Sequence, residues 1–226
     1  MEAASFYQLA DFNPGQVIKD NIEVKQKHNK MDNLKYFLIG LTIIFQSCNG
    51  QTTPKKEIYN KDFNWTITIP ENFENVSAQD WAKIQNKGIE AIEKTYNKEV
   101  VNQAKTIFVF KSDQLNYFES NYQPFDKAVD GDYVESCKTV NDMLYEAFMA
   151  QMPGIKIDST STVEKIDNLE FQTFKMKIEY PNKMVLNAIM YSRLFGKKEF
   201  SVNIMYVDNK KGKQMLDSWK KSKFTK

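Results

Sequence analysis

Apolar and polar positions alternate with a period of two in several separate stretches of the chain. Trp65, Ile67 and Ile69 alternate with Thr66 and Thr68, and Pro70 closes the run. Phe174, Met176, Ile178 and Tyr180 keep the same period, as do Phe200, Val202, Ile204 and Tyr206. Between these last two, Met184 to Phe195 is long enough for one more strand. Ile107-Phe108-Val109-Phe110 is apolar at every position, so 104–111 is expected as an interior strand. The aromatic-rich Leu115 to Phe125 is expected as a strand or an extended loop, and Ile155 to Ser159 as extended chain. The connections Ile166-Asp167-Asn168-Leu169, Pro181-Asn182-Lys183 and Gly196-Lys197-Lys198 are too short for crossovers, so the strands around them form an antiparallel meander.

Three other stretches carry the helical period. Ser77 and Asp80 stand three apart, as a capping pair does, and Trp81, Ile84, Gly88, Ile92 and Thr95 follow on one stripe up to about Asn97. Asp130-Gly131-Asp132 opens a second helix, with Glu135 as capping partner, an inner stripe of Cys137, Val140, Leu144 and Phe148, and an end at Pro153-Gly154. Asp208-Asn209 opens the third, with Met215, Leu216 and Trp219 inward. Strands, helices and a run of hairpins in this order predict an α+β fold: an antiparallel sheet with a C-terminal meander, covered by helices. Between residues 62 and 224 the pattern resembles the α/β/α sandwich of the PsbP-like proteins, including the DcrB-type bacterial lipoproteins. The opening strand ending Ile69-Pro70-Glu71-Asn72-Phe73 and the closing Leu216-Asp217-Ser218-Trp219 to Phe224 carry the resemblance. A cystatin-like sheet is the structural alternative. Members of the sandwich family differ widely in role, so the resemblance implies a fold and no particular activity.

One segment obeys neither period. Lys35 to Cys48 has a basic entry, an apolar run from Tyr36 to Phe45, and then Ser47-Cys48. As a helix the run spans about 15 Å, half of a hydrocarbon core of about 30 Å, which suits a secretory leader better than a membrane span. Phe45-Gln46-Ser47-Cys48 resembles the cleavage site of a bacterial lipoprotein precursor, although Phe45 and Gln46 depart from the usual Leu and small residue. The resemblance implies cleavage before Cys48, a diacylglyceryl thioether on its sulfur, and attachment to a membrane of the bacterial cell envelope. A buried core strand is the competing reading of the same residues. Met31 stands where such a leader starts, so the expected organisation is 1–30 as an over-extended start or leader extension, 31–47 as signal peptide, 48–61 as polar tether, and 62–226 as one domain.

Composition narrows the function. A net charge of +2 gives no strong instruction about partners, and Arg193 is the only arginine, which weighs against nucleic-acid reading. The single histidine, His28, precedes the leader, so the expected mature domain lacks the commonest general base and zinc ligand. No Gly-rich phosphate loop, dinucleotide fingerprint or Gly-x-Ser-x-Gly elbow occurs, and no cofactor is expected. A hydrolase using serine–lysine or carboxylate chemistry is the runner-up to a non-catalytic binding or assembly module; Ser218 and Lys221 have the spacing but sit at a helix end.

Other candidates each have a plain structural reading. Asp126, Asp130, Asp132 and Glu135 gather oxygens that calcium favours, but helix starts attract the same acids. Cys137 lies on an apolar stripe, as a small core residue does. Lys210, Lys211, Lys213, Lys220, Lys221, Lys223 and Lys226 make a basic C-terminal segment able to face anionic lipid, or simply water. Tyr117, Phe118, Tyr122 and Phe125 are the densest aromatic cluster and a candidate groove for a small ligand or an envelope partner, or else core.

Overall fold

The computed structural model describes residues 56–77, 79–86, 103–152 and 154–225. The leader, Cys48, the preceding residues and most of the tether lie outside these, as do Gly88, Ile92, Thr95 and Asn97 of the first expected helix, Pro153 and Lys226.

The chain begins with β1 (Lys56–Asn60) and β2 (Trp65–Ile69), then β3 (Glu74–Val76) and a helical stretch over 79–86. β4 (Lys105–Asp113) and β5 (Asn116–Pro124) lead to the short α1 (Lys127–Asp130) and the long α2 (Tyr133–Gln151). The meander follows as β6 (Lys156–Ile166), β7 (Leu169–Glu179), β8 (Val185–Phe195) and β9 (Lys198–Tyr206), closed by α3 (Asn209–Lys221) and β10 (Lys223–Phe224). Seven strands form one antiparallel sheet in the order β3-β4-β5-β9-β8-β7-β6, and β1-β2-β10 form a second. The expected α+β fold with its antiparallel meander is therefore what the chain adopts.

The local signals work as their chemistry dictates. Asp167 and Asn168 take positive φ angles of 48° and 66°, the two-residue turn that matches strand twist between β6 and β7. Asp132 accepts from the backbone N–H groups of Val134 and Glu135, and Asp208 from those of Lys210 and Lys211. Ser77 Oγ accepts from the Asp80 N–H at 3.1 Å and donates to Asp80 Oδ2 at 2.8 Å. Gly212 packs α3 against β9; a Cβ there would lie 2.4 Å from the Tyr206 ring.

One expectation needs correcting. The stretch 48–61 was expected as tether, yet Lys56–Asn60 pairs along its whole length with β2, because a strand as short and exposed as β1 leaves only a weak pattern. Helices cover the large sheet as expected, and on one face α3 is joined by the three-stranded sheet. On that face Trp65, Phe110, Phe118, Phe171, Phe200 and Trp219 are essentially inaccessible to water. The other face lies under α2 and the 79–86 stretch: Cys137 and Asn141 reach Ser192 and Ser161, and Trp81 and Gln85 reach Glu119. Cover on both faces is the three-layer sandwich arrangement, and not the cystatin-like alternative.

Candidate binding site

β5 and β9 are the central pair of the large sheet, and their register decides what each face holds. Odd-numbered residues oppose one another under α2 and the 79–86 stretch: Glu119 faces Asn203, Asn121 faces Ser201, and Gln123 faces Glu199. All six are buried, in the middle of a sheet where apolar side chains are the rule.

At one end of this polar row Glu119, with no exposed surface, is a hub for donors. Its Oε1 accepts from Trp81 Nε1 at 2.8 Å and Gln85 Nε2 at 3.0 Å, and its Oε2 from Asn203 Nδ2 at 3.2 Å. The 79–86 stretch is thus clipped to the sheet through a carboxylate. Beside it Tyr117 donates to Met205 Sδ at 2.6 Å. Burial first, and then the charge of Glu119, push the Tyr117 hydroxyl far above the ordinary tyrosine range, so it stays protonated.

At the other end the row opens into a cavity of about 70 Å³ lined by Gln123, Phe125, Asp130, Ser136, Cys137 and Glu199, among others. Glu199 is 5% exposed; its Oε2 accepts from Gln123 Nε2 at 2.9 Å, and it makes no ion pair with the described residues. Among the described residues no lysine or arginine lines the cavity. Cys137 is buried, its Sγ 3.6 Å from Ser192 Oγ, as its place on the apolar stripe of α2 implied.

The four aromatic residues of the candidate groove do not line one groove, and Tyr117, Phe118 and Phe125 are buried. Strand alternation sends Tyr117 to the polar face and Phe118 and Tyr122 to the aromatic face, and Phe125 packs edge-on against Tyr133 beyond the strand end. Phe118 is fully buried among Phe108, Phe110 and Trp65, and Tyr122 contacts Phe63. The acidic cluster is spent on backbone capping. Asp126 accepts from the Ala128 N–H, Asp130 from the Asp126 N–H, and Asp132 caps α2, while Glu135 lies exposed in its first turn. Among the described residues no group of acids, cysteines and histidines is arranged to hold a metal ion.

A second depression, about 320 Å³, lies between β2 and α3 and is lined by Glu57, Thr68, Asp217, Ser218, Lys221 and Lys223, among others. Its charges are of both signs. Ser218 donates its hydroxyl to the Thr68 carbonyl, tying α3 to β2 and leaving Lys221 exposed nearby. The basic segment is partly neutralised: Lys211 pairs with Asp113 at 2.7 Å, Lys213 with Asp217 at 2.6 Å and Lys223 with Asp167 at 2.9 Å.

The polar row was missed at the sequence level because Asn116 to Gln123 mixes aromatic and polar residues with no visible period. The signal available was Glu119 itself, a lone acid between Tyr117-Phe118 and Tyr122 in a segment otherwise suited to burial.

No protein-family model and no curated protein matches the chain. Among solved structures it is similar to the solution structure of cyanobacterial PsbP (CyanoP) from Synechocystis sp. PCC 6803, with 8% identity and a TM-score of 0.49, covering 80% of this chain and 99% of that one. It is also similar to a crystal structure from Bacteroides thetaiotaomicron VPI-5482, with 9% identity and a TM-score of 0.43, covering 76% of this chain and 49% of that one.

Proposed function

We propose that the chain is a lipid-anchored protein of the bacterial cell envelope, held to a membrane through Cys48. In this reading its folded domain is a non-catalytic binding module that takes a small cationic ligand in the cavity at Glu199. The observation that carries the binding reading is Glu199 itself: a buried carboxylate that borders open space and makes no ion pair with the described residues. An ionised carboxylate removed from water needs a positive or donating partner. Gln123 supplies one donor and fixes the orientation, and a small ammonium group in the cavity would supply the charge. Asp130 at the rim adds a second acidic oxygen source, and Phe125 and Val140 supply apolar walls for a short carbon chain. The volume limits the ligand to a few heavy atoms. Anchoring is supported by the leader layout ending in Ser47-Cys48.

Titration calorimetry with methylammonium and ethanolamine tests the site. Saturable heat is expected from the wild type, and Glu199→Gln should weaken it about tenfold or more. An absence of heat from the wild type, or binding untouched by Glu199→Gln, overturns the site. Radiolabelled fatty acid should enter the wild type and not Cys48→Ser, which should leave the membrane fraction; label absent from the wild type overturns the anchor.

A further inference from the structure

The seven-stranded sheet has two unlike edges. β3 is three residues long, too short to offer a template. β6 is eleven residues long and pairs with β7 at eleven consecutive positions with no register shift, whereas the β4–β5 pair has two irregularities. It contains no proline, and its middle, Ser159 to Val163, carries no charge. Most of it is exposed, and Val163, a β-branched apolar residue, is 53% exposed. A bulge-free edge with an uncharged middle and an exposed valine lacks several of the usual devices that stop sheets from joining.

We infer that β6 is an interface at which two copies of this chain join their large sheets edge to edge in antiparallel register. The register follows from the side chains. A two-fold axis normal to the sheet keeps like faces together, so paired residues must share a face, and the two numbers of each pair must sum to an even number. With the axis through Thr160, Lys156 opposes Glu164, Ile157 opposes Val163, Asp158 opposes Thr162 and Ser159 opposes Ser161. Opposite charges then meet twice, and the exposed Val163 of each copy is covered by Ile157 of the other. Moving the axis to Ser161 sets Asp158 against Glu164 twice and Ile157 against Lys165. Moving it to Ser159 leaves Val163 and Glu164 without a strand opposite. Only the register on Thr160 combines charge complementarity with apolar cover. Within its own sheet Glu164 also pairs with Lys175 of β7 and accepts from the Tyr191 hydroxyl at 3.2 Å, so in the dimer it is shared between Lys175 and the other copy's Lys156.

Sedimentation velocity of the full chain in mild detergent, from low to high micromolar concentration, should show a reversible monomer–dimer equilibrium. Val163→Lys should weaken the dimer about tenfold or more by burying a cation against Ile157. Adding Ile157→Glu to the same chain should recover most of the loss, because the new lysine then faces the new glutamate. Both changes lie at a surface strand, and circular dichroism is expected to stay that of the wild type. In a Cys48→Ser background, oxidation of Thr160→Cys should yield a disulfide-linked dimer, since this residue meets its own copy on the axis. A wild type that stays monomeric throughout, a Val163→Lys dimer as tight as wild type, or cross-linking through Ser161→Cys in place of Thr160→Cys would each overturn the inference.

Discussion

Phe118 and Glu119 are neighbours on one strand and belong to two differently built layers. The side of the large sheet that Phe118 enters is dry and aromatic. Phe118 stacks on Phe110 at 4.6 Å, and Trp219 meets Phe171, Tyr191 and Phe200 at 5.2, 5.4 and 6.3 Å. Trp65 and Trp219 each bury an indole N–H that finds no partner among the described residues. The side that Glu119 enters is organised by hydrogen bonds: Trp81 is as buried as its aromatic counterparts, yet its N–H has a carboxylate partner. One layer is held by area and shape, which tolerate exchange of apolar groups of similar volume. Around Glu119 the other is held by partners, which tolerate almost no exchange, since a lost acceptor strands several buried donors.

Substitutions on each side should differ in character, and the largest effect belongs to the aromatic layer. Trp219→Ala should cost about 3–5 kcal/mol in urea unfolding, since the cavity is fully enclosed. Trp219→Phe should cost well under half of that, because the indole N–H makes no bond that would be missed. Equal losses from both would mean that the tryptophan is held by a polar contact and the contrast is false. The next effect is on the polar side. Glu119→Leu, though similar in size and apolar, should cost about 3 kcal/mol, because Trp81, Gln85 and Asn203 would all lose their shared acceptor. A neutral result would show that the row is packing in polar dress.

The smallest effect concerns Asp167, which secures the edge of the small sheet over the aromatic layer. Its carboxylate accepts from the Phe224 N–H at 2.8 Å and from Lys223 Nζ at 2.9 Å. The backbone bond first, and the lysine bond second, hold its acidity below the ordinary aspartate range. A lowered folded-state value means the stabilisation is fully present above the unfolded value, near 3.8, and is lost as pH falls through the folded one. Asp167→Asn should therefore be less stable than wild type at neutral pH, and the difference should shrink toward zero in acid. A gap that persists at low pH would assign the loss to something other than this charge.

The meander was legible because its strands pair with their sequence neighbours and its turns are marked by Asp167-Asn168, Pro181 and Gly196, so alternation and turn chemistry agree. The second sheet was not legible as a sheet, since β2 takes one partner from the start of the domain and another from the end, and β10 is two residues long. The candidate cavity was hidden for a related reason. Glu199 and Gln123 are 76 positions apart and meet only through the β5–β9 register, which no local period reveals. The aromatic cluster at 117–125 was visible as a cluster, but the period of two that makes a strand also scatters its members across a sheet.

The order in which residues leave the ribosome adds a consequence. Trp65 and Phe118 are made well before the residues that close over them, Met215, Trp219 and Phe224. A nascent chain can pair β1 with β2 but cannot shield its largest greasy surface until Met215 to Phe224 have emerged. A chaperone that grips aromatic segments would therefore find its binding surface open until that closing segment emerges, and covered soon after.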